Sequence, residues 1–235
     1  MVSVLMSQQG SRHPDALTRK PLTLENVLEG KKIASSTSIY ECARRADGAA
    51  VVLVASERFI KSQSHLNISQ SPVIVGGGET SGPIYPPSVI TDATYTSGEA
   101  ARQAYAEAKL SPKDIDFFGL YDCFPICFIK AVESAGLASK GKGGAWVEEK
   151  YKLSLQHNRA LTPVEFPVNT HGGLLSFAAP WETPAMYNII EATAQLTGTA
   201  TGRQVPNATT ALVYGNGGIL SASSMAILSL AHRQA

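Results

Sequence analysis

Hydrophobic positions in this chain fall into short blocks separated by Gly, Pro and Ser, and the period of each block predicts its element. Residues 1–45 are polar overall and broken by Pro14 and Pro21, with one helical segment, Leu24, Val27 and Leu28 ending at Gly30. Thr23 suits the N-cap of that helix, with Asn26 at the position where a capping box prefers Glu or Gln. The continuous, β-branched run Ala49 to Ala55 predicts a strand buried on both faces, as in a sheet covered by helices. A short helix is expected from Glu57 to Lys61. "SPVIV" predicts a short strand ending in Gly76-Gly77-Gly78, read as a turn or bulge, because it lacks the Gly-Lys-Ser/Thr ending of a P-loop and the spacing of a dinucleotide fingerprint.

From Ser97 the positions Ala100, Ala101, Ala104, Tyr105 and Ala108 mark one face of a helix that stops near Leu110. "DIDFFGLYDCFPICFIKAVESAGL" follows as strand, sharp loop and helix. After the Gly/Lys linker at 139–144 and a mixed stretch, a helix is expected from Pro184 to Leu196. "TTALVYGNGGILSASSMAILSLA" closes the pattern as two apolar strands around a Gly-Asn-Gly-Gly turn, a hairpin signal. Strands alternating with helices imply an α/β layered fold.

Composition narrows the function classes. The 235 residues hold 44% hydrophobic and 17% charged positions with a formal net charge of +1, so no charge excess points to nucleic acid or an anionic membrane as partner. The longest apolar runs stop far short of the roughly 20 residues of a membrane helix, and the N-terminus lacks the basic start of a signal peptide, so a cytoplasmic location is the expectation. Cys42, Cys123 and Cys127 are too few for a disulfide framework. Cys123 and Cys127, four apart, could form half a metal site, but no second pair completes it and no metal is expected.

Three polar, glycine-assisted loops sit at the ends of apolar strands: Tyr121-Asp122-Cys123-Phe124, Asn169-Thr170-His171-Gly172-Gly173, and Tyr214-Gly215-Asn216-Gly217-Gly218. On one sheet edge they would make a pocket. Tyr121, Cys123, His171 and Tyr214 offer acid/base groups, while Asn169, Gly172, Gly173, Gly217 and Gly218 would let backbone N–H groups approach a substrate oxyanion. Each also has a plainer role open to it. Tyr214 could simply end a strand, His171 could cap a turn, and Cys123 could be inert. For Asp122, a cap at a helix N-terminus is preferred over acid catalysis.

With these loops in order, the chain resembles the C-terminal half of a thiolase-superfamily protein, nearest the sterol-carrier-protein thiolase and lipid-transfer branch. "YDCF" sits where that branch has His-Asp-Cys-Phe, "VNTHGGLLSFAAP" is similar to Asn-x-x-Gly-Gly followed by the Gly-His-Pro segment, and "YGNGG" is similar to the C-terminal glycine turn. The resemblance implies a mixed sheet covered by helices, the C-terminal half of the five-layer thiolase fold. It places residues 1–45 in a remnant of the loop domain, 46–70 in the last strand and helix of the N-terminal half, and 71–235 in the C-terminal domain.

It further implies chemistry on acyl-CoA carbon–carbon bonds, with the CoA thioester as substrate and no separate cofactor. The family's nucleophilic cysteine belongs to the N-terminal half, and Cys42 lies in the wrong segment to replace it. The Gly-His-Pro histidine aligns with Ala179, the His of His-Asp-Cys-Phe is Tyr121, and Tyr214 falls in the loop where many thiolases carry a second catalytic cysteine. Phenols in those places resemble the thiolase-like aldolases that work with an OB-fold partner, so a tyrosine-based retro-aldol cleavage is one expectation. The alternative is a non-catalytic half-fold that oligomerises or pairs with a thiolase N-terminal half or an OB-fold protein.

Overall fold

The computed structural model describes residues 1–67, 71–83, 85, 88–91, 94–181, 183–217 and 221–230. Its centre is a four-stranded mixed sheet in the order β3-β6-β5-β4, built from β3 (Pro72–Ser81), β4 (Phe117–Gly119), β5 (Thr210–Gly217) and β6 (Ala222–Leu230). β6 runs antiparallel to both β3 and β5, and β5 pairs in parallel with β4. A lone bridge from Phe118 to Val168 extends the β4 edge by one further segment.

Around this sheet lie α1 (Val2–Gly10), α2 (Leu24–Glu29), α3 (Glu57–Ser62), α4 (Ser97–Ala108), α5 (Pro125–Ser134), α6 (Gly143–Gln156), the single turn α7 (Gly173–Ser176) and α8 (Pro184–Leu196). A small ribbon, β1 (Lys32–Ala34) with β2 (Thr37–Ser38), stands apart from the main sheet. α4 packs across β3 and β6, and α8 packs across β5 and β4. The main core joins Leu5 and Met6 of α1 to Phe118, Phe128, Phe166, Leu212 and Ile227. A second cluster, Phe117, Ala192, Leu196 and Val213, lies between α8 and the sheet.

Most predicted elements form where the pattern places them. In α2 the Thr23 side chain accepts from Asn26 N–H at 3.1 Å, while the Asn26 side chain accepts from Thr23 N–H at 2.9 Å. The shorter amide thus closes the capping box that Glu or Gln usually closes. The hairpin strands β5 and β6 pair as expected, although Gly215, Asn216 and Gly217 belong to β5 itself, opposite Ser224, Ser223 and Ala222.

Three expectations need correction. The run Ala49 to Ala55 forms no strand: Val51, Leu53 and Val54 are 78%, 92% and 78% exposed, so the expected double burial is absent. Among the described residues no neighbouring strand supplies the backbone partners that a buried strand needs. Of the turn or bulge expected at Gly76-Gly77-Gly78, the turn is absent, since these residues are the middle of β3, whereas the register shift between Ile74 and Gly76 agrees with the bulge. Side chains at Gly76 or Gly78 would strike the Ala104 or Ala100 carbonyl of α4, so these glycines allow helix and strand to touch backbone to backbone. Finally, residues 1–45 hold two α-helices rather than the one expected, because α1 precedes α2 and buries Val2 to Ser7, Gln9 and Gly10.

Candidate active site

The first loop begins where β4 ends. Asn169 stitches the second loop to it: Leu120 N–H donates to Asn169 Oδ1 at 2.7 Å, and Asn169 Nδ2 donates to the Leu120 carbonyl at 2.8 Å. The amide thus continues the strand pairing beyond the last ladder bond. Asn169 holds φ 46°, a left-handed conformation that Asn tolerates better than most residues, and its side chain is wholly buried.

Gly172 and Gly173 then turn the chain at φ 108° and 62°. A Cβ at Gly172 would lie 2.6 Å from the Gly10 Cα of α1, and one at Gly173 would fall on the Asp122 carboxylate. That carboxylate accepts from Leu174 N–H at 2.7 Å and, more distantly, from Leu175 N–H at 3.5 Å, so it caps the turn α7. Burial pushes the Asp122 carboxyl up to about 7 against the opposing pull of those backbone donors. The glycine pair therefore lets the second loop close over Asp122.

His171 is buried, 5.4 Å edge-on from Phe177, and its Nδ1 makes no hydrogen bond among the described residues. Burial pushes its imidazole down to about 4, although nearby Glu191 pulls the other way. Behind it, Glu191 of α8 receives a fork of donors from Arg203 at 2.8 to 3.1 Å and a bond from the Thr170 hydroxyl at 2.6 Å. This buried ion pair ties the second loop to α8 and was not apparent from residue spacing, because Arg203 lies 12 residues further on in a turn.

A third segment completes the wall. Ala43 N–H donates to the Cys123 carbonyl at 3.0 Å, Arg44 N–H to the Leu174 carbonyl at 2.8 Å, and Ala179 N–H to the Arg44 carbonyl at 2.7 Å. These bonds enclose a cleft of about 370 Å³ lined by Tyr121, Cys123, Ala179, Arg45, Leu174 and Trp181, with Ala43 and Ala46. Arg45 and Trp181 were missed by the motif reading. The available signals were the adjacent Arg44-Arg45 in a nearly neutral chain and a tryptophan directly after Ala-Ala-Pro.

Of the predicted site residues, Tyr121 and Cys123 thus reach one cleft together with Ala179. Asn169, His171, Gly172 and Gly173 are buried and do not line it. Tyr214 is 3% exposed, with its hydroxyl 3.4 Å from both Ser223 Oγ and Asn216 Oδ1, and burial pushes its phenol up to about 12. Thiolate charge on Cys127 or Cys123 would raise it further, which places Tyr214 within electrostatic reach of those sulfurs. Gly217 ends β5 opposite Ala222 and does not line the cleft, while Gly218 lies outside the described residues. Cys123 donates to Cys127 across 3.4 Å, and this bond together with burial pushes the Cys123 thiol up.

The family model for the thiolase C-terminal domain-like family matches residues 87–230, which hold β4, β5 and β6 of the main sheet but not β3, together with all three loops. The chain belongs to the thiolase family. An acetyl-CoA acetyltransferase of Methanothermobacter thermautotrophicus is 31% identical, over 97% of this chain and 57% of that protein. Sterol carrier protein 2 of Oryctolagus cuniculus is 30% identical, over 87% of this chain and 36% of the relative. This thiolase-family chain therefore spans between a third and three fifths of the length of these two relatives.

Two solved structures share the fold. The Ltp2-ChsH2(DUF35) aldolase superposes over 100% of this chain and 58% of its own with a TM-score of 0.76 at 24% identity. A monomeric SCP2-thiolase like protein of Mycobacterium smegmatis superposes over 97% and 45% with a TM-score of 0.67 at 18% identity. The fold is thus the thiolase fold, with its mixed sheet and covering helices.

Proposed function

We propose that the chain supplies one wall of an acyl-CoA carbon–carbon bond site, and that this wall serves retro-aldol cleavage rather than thiolysis. The observation that carries the reading is the lining of a single cleft by Tyr121, Cys123 and Ala179. The resemblance puts a histidine where Ala179 stands, and a methyl group moves no proton. A thiolysis site needs that base to activate thiols, whereas a retro-aldol site needs one group for the substrate hydroxyl and one for the enolate.

In the proposed step the phenolate of Tyr121 accepts the proton of the β-hydroxyl of a β-hydroxyacyl-CoA and becomes the phenol. The bond between Cα and Cβ breaks, the carbonyl compound leaves from Cβ, and the electron pair passes to Cα as a thioester enolate. Cys123, held as a neutral thiol by its hydrogen bond and its burial, donates a proton to that carbon. Arg45 on the same lining provides the electropositive setting that a phenol requires to act as base. Tyr214, buried and raised, acts only as a hydrogen-bond donor behind the sulfurs. The fold likeness to the Ltp2-ChsH2(DUF35) aldolase, whose name joins two components, supports both the reaction class and pairing with a DUF35-type partner, for which an OB-fold protein is the expectation.

The test follows aldehyde or ketone release from a β-hydroxyacyl-CoA without added CoA, in the complete assembly. Turnover is expected to fall by about 10²–10⁴-fold in Tyr121→Phe, the usual weight of a positioned acid/base group. Unchanged turnover in that variant, or thiolysis of a 3-ketoacyl-CoA as the only activity, would refute the reading.

A second reading rests on Val51, Leu53 and Val54, whose exposure favours pairing of this half-fold with further thiolase-fold structure. That structure could be carried by the same polypeptide or by another.

A further inference from the structure

Cys123 and Cys127 form a dithiol that the acid/base role of Cys123 leaves partly unused. Their sulfurs are 3.4 Å apart, one on the cleft lining and the other in the first turn of α5. A disulfide requires about 2.05 Å between sulfurs, so little more than a side-chain rotation separates the pair from a covalent bond. Cys123 precedes the N-cap Phe124, whose backbone is extended at φ −141°, and the helix therefore does not lock the Cys123 backbone.

Access and reactivity divide between the two sulfurs. Cys123 is half-buried and opens onto the cleft, while Cys127 is 5% exposed. The Cys123 S–H bond and the backbone donors at the start of α5 both favour the thiolate on Cys127, outweighing burial. Cys42 provides an internal contrast. Its thiol donates to the Ser38 carbonyl at 3.6 Å, and burial together with nearby Glu41 pushes it up, away from the reactive thiolate.

We propose that Cys123 and Cys127 are an oxidative modification site, closed to an intrachain disulfide by a hydroperoxide that enters through the cleft. The thiolate of the pair attacks the O–O bond of hydrogen peroxide and becomes a sulfenic acid, while the hydroxide released takes the remaining thiol proton and leaves as water. The second sulfur, now a thiolate, displaces hydroxide from the sulfenic acid to form the S–S bond, and that hydroxide is protonated by solvent. Two sulfurs are oxidised by one electron each, and the peroxide is reduced to two waters. The inference does not depend on the carbon–carbon chemistry proposed above, because its readout is the state of the thiols.

The experiment treats the full chain with hydrogen peroxide under native conditions, alkylates the remaining thiols and maps the unreduced peptides by mass spectrometry. The peptide holding both Cys123 and Cys127 is expected to lose two hydrogens and to escape alkylation, while Cys42 is alkylated. In Cys123→Ser, Cys127 is expected to stop at a sulfenic acid trapped by dimedone. Closure should run at least about tenfold faster in the folded chain than in urea at the same pH, since unfolding removes both the fixed separation and the helix terminus. Alkylation of both cysteines, a disulfide through Cys42 or between chains, over-oxidation without a bond, or equal rates in urea would overturn the proposal. Because the main readout is taken on the unaltered chain, it stands even if the serine variant fails to fold.

Discussion

His171 lies in the interior, so burial penalises its imidazolium form and pushes the imidazole down to about 4, and among the described residues its Nδ1 has no hydrogen-bond partner. Its folded value lies below the ordinary 6.5, so its contribution to stability is complete above that pH and is lost as pH falls through the interval. Asp122 behaves oppositely. Its folded value of about 7 lies above the ordinary carboxylate, so its contribution is complete at acid pH and is lost as pH rises towards 7. Each term is on the order of 3–4 kcal/mol at full expression, and the two nearly cancel between about pH 4 and 6.5. Removing one should expose the other. In urea melts, His171→Phe should lose stability from about pH 5 to about pH 7, whereas Asp122→Asn should gain it, because each variant keeps only the opposing group. Curves parallel to the unaltered chain would show that neither group drives the dependence. The same residues mark what the motif left unread. Asn-x-x-Gly-Gly was visible as letters, but nothing in the letters says whether the space a glycine leaves faces a ligand or the Asp122 carboxylate. That is decided by chain 50 residues away.

Elements were legible where one local pattern governs them and illegible where a partner does. The alanine face of α4 and the capping box of α2 need only neighbouring residues. The triple glycine of β3 looked like punctuation because glycine breaks local structure, yet here it permits a helix–strand approach that only the folded chain contains. α1 escaped notice because it is buried on nearly every side and so lacks the polar stripe that marks an amphipathic helix. The glycines give a test with its own control. A methyl at Gly78 would enter the Ala100 carbonyl, whereas one at Gly77 would meet nothing nearer than the Glu107 carboxylate at 3.6 Å. Gly78→Ala should cost about 3 kcal/mol through overpacking, and Gly77→Ala should be neutral or stabilising by about 0.5 kcal/mol through the unfolded chain. Equal effects in denaturant titrations would mean that β3 and α4 do not touch through their backbones.

At the scale of the whole molecule, the segment Ala49 to Ala55 carries the pattern of a buried strand and the exposure of a surface. Local pattern and environment conflict here. The conflict resolves if a sheet other than the two formed by the described residues receives the segment, since added backbone pairing and burial of both faces would satisfy the same residues. The share of the relatives' length that this chain leaves uncovered gives room for such a sheet. Alone, the chain should self-associate through the exposed run, because contiguous apolar surface of this kind seeks a partner. A double variant, Val51→Asp with Leu53→Asp, should sediment as a monomer and unfold within about 0.5 kcal/mol of the unaltered chain, because those side chains pack on little of it. The same variant should fail to join whatever structure completes the fold, as two carboxylates cannot enter a dry sheet without partners. Sedimentation settles one half of this expectation and urea melts the other. A monomeric unaltered chain that the double variant destabilises by several kcal/mol would mean that the run packs against its own chain, and that no external sheet is needed to explain its pattern.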